Sequence, residues 1–462
     1  MEKLIFELNT LNNTDDNVEI DQFYKRENLE IPKIPERELV KHFLKLSEMN
    51  FSVDKGFYPL GSCTMKYNPK FSEYVSQWDE FKFAHPLYPE ICQGIMRIMW
   101  EMEGFLCEIC GMDAFSLHPS AGAHGEFLAL SIAKRYFSDK SEKRTKVLLP
   151  DSSHGTNPAS ASMCGFSVEE VKSDERGNVH LQDLKGKIDK NTAVLMLTYP
   201  NTLGLCDEKI NEVVKIVKSE GALLYLDGAN MNALLGIVKP GDLGFDFVHL
   251  NLHKTFSAPH GGGGPGSGPL GVKNFLKKYL PNPRIKKDND KFTFEFSKES
   301  VGKIESFFGN FSVILKAYIY IRMLGGEGLK KVAEIAVLNA NYMRVKLSKR
   351  FNIPFNRICK HEFVISEKGF PNDVKTEDFA KRLQDFGFHP PTVYFPLIVK
   401  GAMMIEPTET ETKETLDSFL EAMNKILDEA EKEPQKLKSA PHKSYVRRVD
   451  VAKASKEPKV KR

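Results

Sequence analysis

The 462-residue chain has no stretch approaching the roughly 18 uninterrupted apolar residues that a membrane-crossing helix needs, so no membrane association is expected. Its first residues, Met1-Glu2-Lys3-Leu4-Ile5-Phe6-Glu7, lack a basic segment followed by a long apolar run, which argues against a secretory signal and for the cytoplasm. Cysteine is sparse. Seven thiols, an odd count, argue against a disulfide framework and for free side chains. Cys107-Glu108-Ile109-Cys110 has C-x-x-C spacing, but no second pair completes a zinc site. Its segment, Ile95 to Met112, reads as helical, so two core-facing thiols and no metal are expected.

A strong charge bias is missing too, with a net charge of only +3. Residues 432–462 hold eleven Lys/Arg against three Asp/Glu, leaving 54 against 59 in the rest. That pattern reads as a solvated basic tail rather than a nucleic-acid surface. No internal repeat and no G-K-[ST] nucleotide loop is present. Gly261, Gly263 and Gly266 spell G-x-G-x-x-G, but no suitable βα turn precedes them and no acid follows at the right distance. The stretch His260 to Pro269 is expected instead to be a mobile loop whose glycines allow close backbone approach.

What is present is the composition of a soluble globular protein, 41% hydrophobic and 27% charged, in a chain too long for one core. The expected division is an N-terminal arm with a lid-like segment (1–90), a large domain (91–330), a small C-terminal α/β domain (331–435) and a basic tail (436–462). In the arm, Pro32 and Pro35 precede a helix over about 36–49, and 56–69 follows neither period, which suits a surface loop or a lid. Short apolar runs at 114–117, 146–149, 193–197, 223–226 and 247–250 read as strands. Helical spacing lies between them, as at Ile210, Val213, Val214 and Val217 before Gly221. Such alternation predicts a mainly parallel sheet covered on both faces, with ligands at the carboxyl ends of its strands. Beyond it, a helix over 329–351, strands at 362–366 and 402–405, and a final helix entered through Thr408 and Glu411 are expected.

The chemistry-bearing residues fall at those strand ends. Asp227 follows Leu223-Leu224-Tyr225-Leu226, and His253-Lys254 follows the next apolar run. An acid and a lysine so placed fit a pyridoxal phosphate site, with Lys254 forming a Schiff base and Asp227 keeping the pyridine nitrogen protonated. Ser120-Ala121-Gly122-Ala123-His124-Gly125-Glu126 opens a helix with small residues, so Ala121, Gly122 and Ala123 are candidates to cradle the phosphate; an ordinary tight turn uses the same residues. His154 is placed to lie on the cofactor ring and move protons, against the alternative of a structural histidine. Asn201 either bonds the cofactor's phenolic oxygen or is an ordinary turn asparagine.

Over nearly its whole length the chain resembles the P-protein of the glycine cleavage system, in the split form whose subunit 2 binds pyridoxal phosphate. The resemblance rests on residues 50–69 (NFSVD through YPLGSCTMKYNP), 120–126 (SAGAHGE), 154–159 (HGTNPA), 227–233 (DGANMNA), 249–256 (HLNLHKTF) and 406–411 (EPTETE). Tyr199 departs from the asparagine expected there. The resemblance implies a fold type I, aspartate-aminotransferase-like α/β architecture and Lys254 as the lysine that carries the cofactor. It further implies glycine as substrate, carbon dioxide release, and passage of the aminomethyl group to the lipoyl group of the H-protein. A homologous subunit 1 and the T and L proteins are the implied partners. The residues alone leave open another fold type I enzyme, such as a desulfurase or aminotransferase, or a non-catalytic scaffold subunit.

Overall fold

Short apolar runs that stop at polar residues become one seven-stranded sheet in the computed structural model, which describes residues 5–8, 21–24, 32–84, 88–261 and 266–458. The strands are β1 Ala114–Ser116, β2 Lys146–Pro150, β3 Ser167–Val171, β4 Thr192–Thr198, β5 Leu223–Asp227, β6 Phe247–His249 and β7 Leu270–Val272. They lie in the order β1-β7-β6-β5-β4-β2-β3. All neighbours are parallel except β7, which runs antiparallel to both β6 and β1. The five expected strands are present. β3 and β7 were not expected: Ser-Val-Glu-Glu-Val is mostly polar because it forms a sheet edge, and β7 is only three residues long.

Alternation along the strands sorts the side chains into two cores. Leu148, Leu195, Leu197, Leu224, Leu226 and Val248 meet Met96, Met99 and Leu106 of the helix Gln93–Cys110, with Val213 and Val217 of the helix Ile210–Ser219. Val147, Leu149, Val194, Met196, Tyr225 and Phe247 face the other way, onto Leu128, Ile132 and Phe137 of the helix Gly122–Asp139. Gly221, at φ +68°, ends the Ile210–Ser219 helix in the left-handed conformation expected of it. Cys107 and Cys110 are free thiols; burial pushes Cys107 up to about 12, and Cys110 is fully buried.

A hairpin, β8 Arg284–Asp288 and β9 Lys291–Glu295, precedes a helix that is longer than expected. It runs Phe311–Leu347 and leaves helical geometry at Gly325 (φ +61°). It starts 18 residues before the expected boundary because its first half packs on the large sheet through Val313, Ile314 and Ala317. Its last turns pack with a third core through Ala340, Met343 and Leu347. That core lies on a three-stranded antiparallel sheet, β10 Phe363–Ser366, β11 Thr392–Val393 and β12 Ala402–Ile405, in the order β10-β12-β11. The helix Lys413–Lys432 covers it; the expected start at Thr408 is corrected to an N-cap at Thr412, whose side chain accepts from the Thr415 N–H.

The lid-like segment is folded against the body. Leu60 bridges Ile405 of β12, and Lys66 is fully buried. The basic tail is only partly solvated. Asp385 accepts the N–H groups of His442 and Lys443, and Arg448 donates to Asp378, while the helix Val451–Lys456 is exposed. Among the described residues, no helix is long and apolar enough to cross a membrane.

Candidate active site

Because every strand of the large sheet except β7 runs one way, the carboxyl ends of β2, β4, β5 and β6 share a rim with the start of the Gly122–Asp139 helix. A cavity of about 130 Å³ opens there, walled by Gly122, Ala123, His154, Asp227 and Lys254 among the expected residues. Ser62, Glu126, Thr198, Thr202, Asn230, His249 and Asn251 complete much of the wall. Lys254 is half-buried, and its Nζ donates to the carbonyl of Ser62 at 2.7 Å.

Asp227 ends β5 and is 3% exposed, so its charge needs local support. The Ala229 N–H donates to its Oδ1 at 3.0 Å, and His249 Nε2 lies 3.4 Å from the same oxygen. Burial pushes the carboxyl up, but His249, the Ala229 N–H and Lys254 outweigh it and hold Asp227 below its ordinary value. Burial depresses His249, and Tyr225 Oη sits against its Nδ1. One arrangement satisfies all three groups. The Tyr225 hydroxyl, kept protonated by burial, donates to Nδ1, and the neutral imidazole directs its Nε2–H at Asp227. The result is an ionised carboxylate facing the cavity.

The helix Gly122–Asp139 starts with no side-chain cap, which leaves its first N–H groups without a side-chain acceptor, and its first residues, Gly122 and Ala123, line the cavity. A Cβ on Gly122 would lie 2.5 Å from Asn251 Oδ1, so only glycine lets the backbone approach this closely. An uncapped helix start is an anion site, and this one suits a phosphate. Ala121 precedes the helix, where its carbonyl accepts the Gly125 N–H at 3.0 Å; the cavity wall begins one residue later.

His154 reaches the cavity with Nδ1 2.9 Å from Thr156 Oγ1 and 3.3 Å from Thr156 N, and burial lowers its pKa, leaving a neutral ring. Glu126 accepts from Thr156 Oγ1 at 2.8 Å and Ser160 Oγ at 3.0 Å. Burial and the neighbouring Asp227 push its carboxyl up to about 7.

Two expected residues lie elsewhere. Asn201 is a turn residue: its Nδ2 donates to Gly177 O, and its Oδ1 accepts from the N–H groups of Leu203 and Leu205. The next residue, Thr202, takes the rim position. The His253 ring is turned edge-on to His260, centroids 5.2 Å apart, outside the cavity wall. Of the loop expected near the lysine, Gly263 lies outside the described residues. At its end, Gly268 passes so close to Ala121 that a Cβ would meet the Ala121 carbonyl oxygen at 2.0 Å.

Nothing in the sequence alone assigns a role to Glu126, His249 or Ser62. Among the described residues, two fully buried sets of metal-type donors also occur, Glu126–Asp227–His249 and His361–Glu362–Glu406, each with ligand atoms within 4.8 Å. Hydrogen bonds from protein groups already engage the carboxylates of both sets.

Comparison with known proteins gives two family matches: "Glycine cleavage system P-protein" over residues 8–292, and "Glycine dehydrogenase, C-terminal domain" over residues 332–448. A probable glycine dehydrogenase (decarboxylating) subunit 2 of Endomicrobium trichonymphae is 51% identical, covering 100% of this chain and 99% of that protein. Its counterpart from Fervidobacterium nodosum is 55% identical over 93% and 91%. Among solved structures, an inhibitor-bound glycine decarboxylase (P-protein) superposes with a TM-score of 0.73 at 19% identity, covering 88% of this chain and 93% of that one. A cysteine desulfurase from Thermococcus onnurineus NA1 superposes at 0.64 with 16% identity, over 81% and 95%. The fold is therefore the fold type I α/β architecture.

Proposed function

The chain belongs to the glycine cleavage system P-protein family, and we propose that it is the glycine-decarboxylating subunit 2, holding pyridoxal phosphate in the cavity at the sheet's rim. The observation that carries this reading is the convergence of Lys254, the ionised Asp227 and the uncapped helix start at Gly122 on one cavity. These three groups match the aldehyde, the ring nitrogen and the phosphate of that cofactor. Bound there, pyridoxal phosphate supplies a covalent anchor for an amine and a ring that draws electrons from the substrate's α-carbon.

The protein's own groups have separable tasks. Asp227 presents a fixed negative charge that keeps a cationic ring nitrogen protonated, and His249 with Tyr225 orients it. The N–H groups at Gly122 and Ala123 receive the phosphate, with the helix dipole adding to their pull. Lys254 provides the amine that substrate displaces, and the Ser62 carbonyl is in place to receive its N–H. His154 is fixed by Thr156 through Nδ1, and its neutral ring on the cavity wall can exchange a proton with a bound substrate.

On this reading glycine loses its carboxylate as carbon dioxide, and the aminomethyl group passes to the lipoyl disulfide of the H-protein, which is reduced as it accepts it. Subunit 1 and the T and L proteins work beside it in the cytoplasm. The test supplies the purified protein and subunit 1 with glycine, cysteine or a keto acid. Exchange of glycine carboxyl with labelled bicarbonate, absent in Lys254→Ala, is expected. Sulfide release from cysteine or amino transfer to the keto acid, without exchange, would refute the assignment.

A further inference from the structure

The segment 59–64 reaches the cavity from the side of the small sheet, and two glutamates of that sheet grip it. β10 and β12 are antiparallel with Phe363 opposite Ile405, so Glu362 and Glu406 emerge together at one end. Glu362 accepts the backbone N–H of Ser62 at 2.5 Å and its hydroxyl at 2.8 Å. Glu406 accepts the backbone N–H of Thr64 at 2.9 Å and its hydroxyl at 2.5 Å. Each grip therefore takes both donors of one residue, and two bonds fix orientation as well as position.

The gripped residues are not relaxed. Ser62 and Thr64 sit at φ +57° and +48°, a region that side-chain-bearing residues rarely adopt and that surrounding contacts must enforce. The rest of the segment is held too. The Glu406 N–H donates to Pro59 O at 3.3 Å, and Thr392 Oγ1 donates to Gly61 O at 2.9 Å. A Cβ on Gly61 would lie 2.3 Å from Met404, so the backbone lies directly on β12. The outcome of this conformation is that the Ser62 carbonyl, on the cavity wall, accepts from Lys254 Nζ at 2.7 Å.

Between the two carboxyls stands His361, fully buried, Nε2 3.7 Å from Glu362 and 4.0 Å from Glu406, with neither ring nitrogen hydrogen-bonded among the described residues. Burial lowers it to about 3, so it is neutral; burial also pushes both glutamates up, Glu406 to about 7, so hydrogen bonds rather than full charges hold the segment. The serine and threonine donors are left as the principal partners of the two glutamates.

We propose that Glu362 and Glu406 are positioning residues for Lys254: by clamping Ser62 and Thr64 they hold the Ser62 carbonyl where it aims the lysine amine into the cavity. This rests on the reading that Lys254 carries the cofactor. Released from the clamp, the segment relaxes toward negative φ and the carbonyl turns away, so the amine loses its aim while the cavity keeps its anion site and Asp227. The sensitive step is covalent capture, in which Lys254 Nζ bonds to the aldehyde carbon of pyridoxal phosphate and water leaves.

The test follows the rate at which the full-length cofactor-free protein captures pyridoxal phosphate, read by visible absorbance and by borohydride reduction mapped to Lys254. Glu362→Gln, Glu406→Gln and the milder Thr64→Val are expected to slow capture about tenfold, the loss of one hydrogen bond whose partner is left buried and unsatisfied. Thr64→Ser, which keeps both donors, is expected to restore the wild-type rate. Wild-type rates in both glutamine variants overturn the proposal, as does equal slowing by Thr64→Val and Thr64→Ser. Lys254→Ala separates the two levels. If it still captures the cofactor covalently, the functional reading fails; if it does not, and the glutamine variants match wild type, only the positioning role fails.

Discussion

Replacing Lys66 by methionine removes a charge that the fold encloses completely. Its Nζ donates to Glu409 Oε1 and Asn232 Oδ1, both at 2.7 Å, and to Thr255 O at 2.9 Å, with Tyr320 Oη at 3.3 Å. The lysine and glutamate side chains are 1% and 8% exposed, so water replaces little of what is lost. Burial alone would lower the lysine's pKa, but Glu409 and Tyr320 reverse this and raise it, so the pair is charged. Methionine fills nearly the same volume, and the cost is therefore that of leaving Glu409 charged and unpaired, about 3–5 kcal/mol. Urea unfolding of the cofactor-free protein measures it. Lys66→Met with Glu409→Gln removes both charges, and the amide can still meet Asn232 and Tyr320. The double variant is expected within about 1–2 kcal/mol of wild type, a coupling of at least about 2 kcal/mol. A cost below about 1 kcal/mol for Lys66→Met, or strict additivity in the double variant, would show that this ion pair does not anchor the segment to the body.

Three further outcomes follow from the cavity. Asp227→Asn is expected to keep cofactor binding, through Lys254 and the helix start, while bicarbonate exchange falls at least about 100-fold for want of a fixed charge at the ring nitrogen; near-normal exchange would remove Asp227 from that role. Gly122→Ala, whose Cβ would lie 2.5 Å from Asn251 Oδ1, is expected to weaken pyridoxal phosphate binding about tenfold with little change in melting temperature, measured by titration of the cofactor-free protein. Glu126 has a folded-state pKa of about 7 against an ordinary 4.5, so its contribution to stability is present below 4.5 and lost as pH rises through 7. Relative to wild type, Glu126→Gln should gain roughly 3 kcal/mol across that window in the cofactor-free protein, and parallel stability–pH curves would contradict the shift.

The large sheet was legible because its strands are short apolar runs with abrupt polar ends, and the same ends locate Asp227, His154 and Lys254. Asn201 stayed open in the sequence because a turn asparagine and a cofactor ligand leave the same trace; in the fold its carboxamide closes the turn. The β8–β9 hairpin was missed because its strands, Arg-Ile-Lys-Lys-Asp and Lys-Phe-Thr-Phe-Glu, carry more charge than strands usually do. Its one signal was Asn289-Asp290, a two-residue turn with Asn289 at φ +53°. The clamp was beyond reach, since Ser62 and Glu362 are 300 residues apart and nothing local to either announces the other. His249 lies in a stretch that carries the family resemblance, but its role needs the register that sets Asp227 beside it.

The proposed chemistry depends on a covalent attachment at one amine. Borohydride reduction of the protein loaded with pyridoxal phosphate, followed by peptide mass mapping, is expected to place the pyridoxyl group on Lys254 alone and to find none in Lys254→Ala. A pyridoxyl group on another lysine, or undiminished labelling of the alanine variant, would contradict the account.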